Sequence, residues 1–313
     1  MPEGIRREAR EEMKAAREET RRMFAEFLQY LLSGLTIGAI YALAGLGFSI
    51  IYNASHVINF AQGEFIMIGG MAAATLTASG VPLPLAILMG CGGAMIVGVL
   101  VAKFTVERAR NASVATLIII TIGASIFLRG LAEVVWGKDF KRLDAFSGET
   151  PINIMGASMQ PQSLWVIGCA AVLIVAIAVF FNRTLAGKAM LATSHNRLAA
   201  QLVGINVKRV VLISFALSAA LGAIGGSVVA PITFSYTEMG IMLGLKGFTA
   251  AVLGGLGNGP GAVAGGLIVG VAEALGAGYI SSAYKDAVAF VIILLVLLFM
   301  PSGLFGKRGT ERV

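Results

Sequence analysis

The chain has 313 residues, 57% of them hydrophobic and 13% charged, with a formal net charge of +7 and a mean hydropathy of +0.84. That much apolar surface exceeds what one water-soluble core buries, so lipid is the expected solvent and a soluble globular fold is excluded. The bases sit mainly at the ends of apolar runs, a pattern of membrane orientation rather than of nucleic-acid binding.

A helix needs about 20 apolar residues to cross the roughly 30 Å hydrocarbon layer, because only a helix satisfies its backbone hydrogen bonds within one segment. Residues 1–26 are of another kind. Seven bases (Arg6, Arg7, Arg10, Lys14, Arg17, Arg21, Arg22) interleave with seven acids (Glu3, Glu8, Glu11, Glu12, Glu18, Glu19, Glu26). Pairs such as Glu3/Arg7 and Glu18/Arg22 are spaced i,i+4, which predicts a solvated, cytoplasmic helix. Its weak stripe of Ile5, Ala9, Met13, Ala16, Thr20, Met23 and Phe27 suits a membrane surface or a partner. The mixture of charges does not read as a signal peptide.

Residues 27–313 form the membrane domain. The first span is expected at 28–52, followed by a polar stretch at 53–64 that contains Asn59, Gln62 and Glu64. Polar backbone at membrane depth is tolerated only where protein or a water-filled cavity surrounds it, so these three residues are candidates for the path or its gate. Apolar runs follow at 65–79, 83–105 and 114–136, with Glu107, Arg108 and Arg110 between the last two. Residues 138–163 are a long polar loop, placed externally, and a span follows at 164–182. The segment 183–209 holds Arg183, Lys188, Arg197, Lys208 and Arg209 and no acid, which argues for the cytoplasm. Within it a short amphipathic helix is expected from Asn196 to Val203, closed by Gly204. Spans are expected again at 210–230, 263–279 and 287–300. Between the first two, 247–255 is too short to cross, and the run from Gly257 to Gly261 breaks it, which predicts a discontinuous or re-entrant helix. Gly254, Gly255, Gly257 and Pro260 mark its close-packed turn, since small residues let helix backbones approach. The tail bases Lys307, Arg308 and Arg312 are placed in the cytoplasm.

The fold class is therefore an all-α, polytopic bundle of about 8–10 membrane segments, some broken or re-entrant. Both termini are expected on the cytoplasmic side, with an even number of crossings.

No catalytic constellation is visible. The glycine cluster from Gly254 to Gly261 lacks the lysine of a phosphate-binding loop. His56 and His195 lie in different polar segments and make no zinc spacing. Cys91 and Cys169 sit singly in apolar runs and read as small core residues. An intramembrane charge costs about 2.5 kcal/mol or more and marks a pathway or a pair. Glu64, Arg129, Glu133, Lys246 and Glu273 are such charges. Arg129 and Glu133 are one turn apart and are expected to pair with each other. Glu64 and Glu273 have no local base, and each is either a buried, hydrogen-bonded acid or a residue lining the transport path.

Several motifs in matching order resemble the permease subunits of branched-chain amino acid ATP-binding-cassette (ABC) importers, the LivH-like family. They are the run from Ile58 to Glu64, Gly187 through Ile205, Gly247 to Gly257, Ala272 to Leu275, Tyr284 to Asp286 and Met300 to Leu304. The likeness spans roughly 27–313 and leaves out the charged N-terminal helix.

That resemblance implies a non-catalytic permease of the bacterial inner membrane. Its implied partners are a second permease subunit, either self or homologue, two cytoplasmic ATPase subunits and an extracytoplasmic substrate-binding protein. No cofactor is implied in this chain, since ATP and Mg would be bound by the ATPase subunits. Amino acids, foremost leucine, isoleucine and valine, are the implied cargo. Gly187, Lys188, Ala192, Asn196, Arg197, Ala200 and Gly204 match the helix that couples the permease to its ATPase. Two departures are notable: the family often has an arginine where Leu191 stands and acids near Ser194, His195 and Asn196, and a histidine where Gln62 stands. Alternatives left open by the sequence are the same architecture carrying urea, short amides or aromatic and aliphatic acids, and an ion-coupled transporter or channel.

Overall fold

A computed structural model describes the backbone of residues 3–109 and 112–306, with side chains from residue 11 onward. The Glu3/Arg7 pair, the side chains of Arg6 and Arg10, Arg110, and the tail bases Lys307, Arg308 and Arg312 lie outside the described residues.

The charged N-terminal segment and the first span are one helix, α1, running without interruption over Glu3–Ser55. No proline interrupts it, and the charged half continues the helical register directly into the apolar half. It stops where His56 takes a left-handed backbone, φ 56°, and where the Ser55 hydroxyl accepts the Val57 N–H at 3.2 Å. The chain then descends without regular structure into α2 (Gln62–Ala78). Next come α3 (Leu83–Val101), continued by a π-helical turn over Ala102–Glu107, and α4 (Val114–Trp136), capped by the Ser113 hydroxyl. The polar loop after α4 folds a small hairpin of β1 (Ile152–Ile154) and β2 (Ala157–Met159), with Ile152 opposite Met159. Met155 and Gly156, φ 51° and 96°, make the two-residue turn that matches strand twist. Its strands, three residues each, are too short for an alternating pattern to mark them in the polar loop expected at 138–163.

Then follow α5 (Pro161–Arg183), α6 (Leu185–His195), α7 (Arg197–Leu202) and α8 (Val207–Thr233). The chain finishes with α9 (Met239–Gly254), α10 (Gly259–Tyr279) and α11 (Lys285–Phe299). Among the described residues seven helices are long and apolar enough to cross a membrane: α1, α3 with its π-helical turn, α4, α5, α8, α10 and α11. The outer faces of α4, α5 and α11 are mostly exposed apolar side chains, as expected where lipid replaces water.

Glycine sets the centre of the bundle. A methyl group on Gly69 would overlap the backbone of Ala223, and one on Gly226 the carbonyl of Ile66, so α2 and α8 lie backbone against backbone. Gly266 and Gly270 bring α10 equally close to α1 at Ala42 and Gly38. In lipid no hydrophobic gain drives helices together, so this approach gains dispersion contact instead.

The short helices α2 and α9 complete the remaining passes. Gln62 lies beside Ser218, near the middle of α8, so α2 begins inside the bundle and runs to the end where Ala73, Ala74, Leu83 and Leu143 cluster. The stretch before α9 returns inward from the Lys141–Ser235 bridge. Helix α9 then runs to the opposite end, where Leu304 N–H bonds the Leu253 carbonyl at 2.7 Å. The first turns of α2 and α9 meet at Gly63 and Gly240.

Among the described residues the chain therefore makes nine passes, and the two ends of α1 belong to different faces. Gln29 Oε1 accepts the Ser158 N–H of β2 at 2.6 Å, and Tyr30 packs edge-on to Tyr279 at 5.2 Å. The start of the first span thus shares its face with the 138–163 loop. Ser55 and Val57 line a cleft with Arg197, Gln201 and Lys208 at the other face, which also carries Asn258 and Phe305, hydrogen-bonded at 2.8 Å. This corrects the expectation of termini on one side with an even number of crossings. Both 53–64 and the stretch before α9 carry the chain partway through; the eight expected spans already include the run at 65–79, and α9, counted as a further pass, makes nine. Cysteines introduced at Thr20 and Gln201 are expected to react with a membrane-impermeant thiol reagent from opposite sides of oriented vesicles. Labelling of both from one side would refute the topology.

Candidate functional site

Three of the four predicted path residues stand together, and one does not. Asn59, Gln62 and Glu64 all lie where the chain enters α2, and all are buried. Asn59 Oδ1 accepts the Ala61 N–H at 3.2 Å, which turns the chain into the helix. The Ser218 hydroxyl of α8 donates to Gln62 Oε1 at 2.6 Å, and Gln62 Nε2 donates to the Ser218 carbonyl at 3.4 Å.

Glu64 sits in the first turn of α2 beside Gly240 of α9, where two helix N-termini favour negative charge. Its Oε1 accepts the Ser125 hydroxyl at 2.7 Å and Arg129 Nη2 at 3.2 Å, both from α4. The expected Arg129–Glu133 pair does not form. Arg129 reaches across to Glu64, a base from far along the chain, and Glu133 pairs with Lys138 at 3.4 Å. A buried carboxylate draws the guanidinium more strongly than a half-solvated neighbour on the same helix, because the dielectric around it is lower. Ser125 and Ser218 were missed, although Thr121, Ser125, Arg129 and Glu133 recur at i+4 along an otherwise apolar helix, which is a readable polar stripe.

Glu273 of α10 belongs to a separate cluster. Its Oε1 accepts Lys246 Nζ of α9 at 2.7 Å and its Oε2 accepts the Tyr41 hydroxyl of α1 at 2.9 Å. Lys246 also donates to Asp286 of α11 at 2.5 Å. Four helices are thus tied by one buried ammonium; Glu273, which has no local base, meets one 27 positions away in the chain and is buried and hydrogen-bonded.

The predicted turn glycines lie at the α9–α10 junction. Gly255 and Gly257 have φ of 94° and 86°, conformations open to glycine at no steric cost. Pro260 occupies the first turn of α10, which the Asn258 side chain caps at the Gly261 N–H, 3.1 Å. Gly254 faces the Gly261 backbone with no room for a side chain. Asn53 Nδ2 donates to the Gly257 carbonyl at 2.7 Å, joining this turn to the end of α1.

At the same face, α6 and α7 carry the predicted coupling residues. Gly187 is buried against the Phe180 and Phe181 backbone and donates its N–H to the Thr184 hydroxyl at 3.0 Å. Asn196 caps α7 by accepting the Ala199 N–H at 3.0 Å. Gly204 ends the turn at φ 88°. Ala200 is buried, whereas Lys188, Ala192 and Arg197 are exposed. The helix after Asn196 is Arg197–Leu202, slightly shorter than expected. Its outward side is apolar: Leu198, Leu202 and Val203 are 74%, 88% and 77% exposed.

Residues 30–297 match the family described as branched-chain amino acid transport system, permease component. The chain is 36% identical over 306 residues to the high-affinity branched-chain amino acid transport system permease protein LivH of Salmonella typhimurium, covering 93% of this chain and 99% of that protein. It is 33% identical over 304 residues to the corresponding BraD protein of Pseudomonas aeruginosa, covering 92% and 98%. It also matches the LivM permease protein of Escherichia coli, 24% identical over 305 residues, covering 86% and 68%.

Proposed function

The chain belongs to the family of branched-chain amino acid transport permease components, and from that premise we propose that it is the membrane subunit of an ABC importer carrying leucine, isoleucine or valine. The chain performs no bond chemistry in this reading. It supplies a path through the bacterial inner membrane, and partner ATPase subunits supply the work. A soluble binding protein delivers substrate to the face that holds the β1–β2 hairpin. The second permease subunit is another copy or a homologue, and likeness to both LivH and LivM relatives favours a homologue.

The observation that carries this reading is the outward side of α7. Leu198, Leu202 and Val203 stand exposed on a segment whose charges are all basic. Its basic residues favour the cytoplasmic side, where water rather than lipid would meet the three apolar side chains. Such a patch is an interaction site, and a soluble ATPase is the partner that an importer needs there. Closure of an ATP-bound motor would push α6 and α7. The capped, close-packed joints at Thr184, Asn196 and Gly187 would pass that movement to α5 and α8.

Leu202→Asp is expected to insert normally, to lose ATPase subunits on purification, and to lower ATP-dependent leucine uptake at least tenfold. Leucine uptake that persists with a hydrolysis-dead ATPase would eliminate the importer reading, and uptake driven by an ion gradient would replace it.

A further inference from the structure

Helix α4 exposes apolar side chains over most of its surface, yet one row on it is polar. Thr121 is fully buried and accepts the Phe60 N–H at 3.3 Å. Ser125 follows, buried against Glu64. Arg129 comes next, its side chain 23% exposed, and then Glu133, 29% exposed. Exposure therefore rises along the row toward the face that holds the β1–β2 hairpin and falls to nothing at the non-helical Ile58–Ala61 stretch. A guanidinium left partly open to hydrocarbon is costly even by the lowest scales, so this side of α4 borders water or protein in the assembled transporter.

The ion pair at the dry end of the row is only half used. Glu64 and Arg129 meet through Oε1 and Nη2. Glu64 Oε2 and Arg129 Nε are both buried and find no hydrogen-bond partner among the described residues. One free acceptor and one free donor remain on two opposite charges. A buried donor or acceptor left unmade carries its full desolvation penalty, more beside a charge, so the arrangement is costly unless something else uses it. An α-amino acid carries the complementary groups on one carbon: an ammonium for the carboxylate and a carboxylate for the guanidinium, which binds carboxylates through two parallel N–H donors.

We propose that the Glu64–Arg129 pair is a station for the zwitterionic head of the transported amino acid, reached along the α4 row from the hairpin face. The pair opens as the substrate arrives, exchanging one internal ion pair for two with the substrate, and closes behind it. Ser125 holds the Glu64 carboxylate while Arg129 turns away. The side chain of the substrate is not read here, so the station selects for the zwitterion and not among leucine, isoleucine and valine. This rests on the reading of the chain as an amino acid permease.

The test uses the whole complex in proteoliposomes, with L-leucine, 3-methylbutylamine and 4-methylpentanoate as probes. Single neutralisation leaves one buried charge unpaired and risks misfolding, so the informative variant is Glu64→Gln with Arg129→Gln, which leaves none. A merely structural pair predicts that this double variant transports leucine at the parental rate, and that result overturns the proposal. The station predicts normal insertion and melting, leucine uptake down at least tenfold, and loss of the preference for leucine over the amine and the acid.

Should the double variant fail to insert, Glu133→Cys, one turn outward of Arg129 on the same row and 29% exposed, in a background of Cys91→Ser and Cys169→Ser decides. Its modification by a small charged thiol reagent from the hairpin face is expected to slow at least fivefold during leucine turnover. Unprotected or absent modification overturns the proposal. A parental complex that carries no amino acid at all refutes the permease reading instead, which separates the two failures.

Discussion

Lys246→Met is expected to cost about 3–5 kcal/mol of stability, the range found when one partner of a buried ion pair is removed. Lys246 and Glu273 are both buried, and the ammonium is the one cation contacting Glu273 among the described residues. With a thioether in its place, Glu273 keeps only the Tyr41 hydroxyl, and its charge is left in an interior bounded by α1, α9 and α10. Thermal denaturation in detergent, followed by size exclusion, checks this. The variant should melt well below the parent and aggregate. Adding Glu273→Gln should recover most of the loss, because a neutral amide still accepts from Tyr41 and carries no charge to desolvate. Asp286→Asn should do much less, under about 1 kcal/mol, since that carboxylate is 42% exposed and reaches solvent. A parental melting point for Lys246→Met would mean that the cluster holds nothing together.

Gly69→Leu should abolish transport. Gly69 touches the Ala223 backbone, and the next turns of the same crossing put Gly226 on Ile66 and Gly222 on Phe65. A four-carbon side chain cannot be placed there without driving α2 from α8. Overpacking of this kind costs about 1–3 kcal/mol, occasionally more. The functional loss should be larger than the stability loss, because α2 also positions Gln62 against Ser218 and Glu64 against Arg129. Gly168→Leu on α5 is the matched control: an added side chain there meets nothing within 4 Å. Leucine uptake should fall to background for Gly69→Leu and stay parental for Gly168→Leu. Equal uptake by the two would show that the α2–α8 approach is dispensable.

Both results concern contacts between segments far apart in the chain, which local spacing does not encode. Lys246 and Glu273 were each visible as intramembrane charges, but nothing in their spacing joined them to each other or to Tyr41. Arg129 was assigned to Glu133 because i,i+4 neighbours are the pairs a linear sequence can supply. The actual partner lies 65 positions away and wins because its carboxylate is buried at the junction of two helix N-termini.

By itself the sequence determined the solvent, the helical class and the positions of the long spans, since bilayer thickness and backbone hydrogen bonding translate directly into lengths of apolar chain. It also located the Asn59–Glu64 break, the Gly254–Pro260 turn and the basic segment around Arg197, where composition departs from the apolar pattern. Only the tertiary structure decided how many passes the chain makes, which face receives residues 11–26, and which charge meets which. Those outcomes depend on the depth at which α2 and α9 begin. That depth is set by glycine-to-backbone contacts across the bundle, and no local periodicity encodes it.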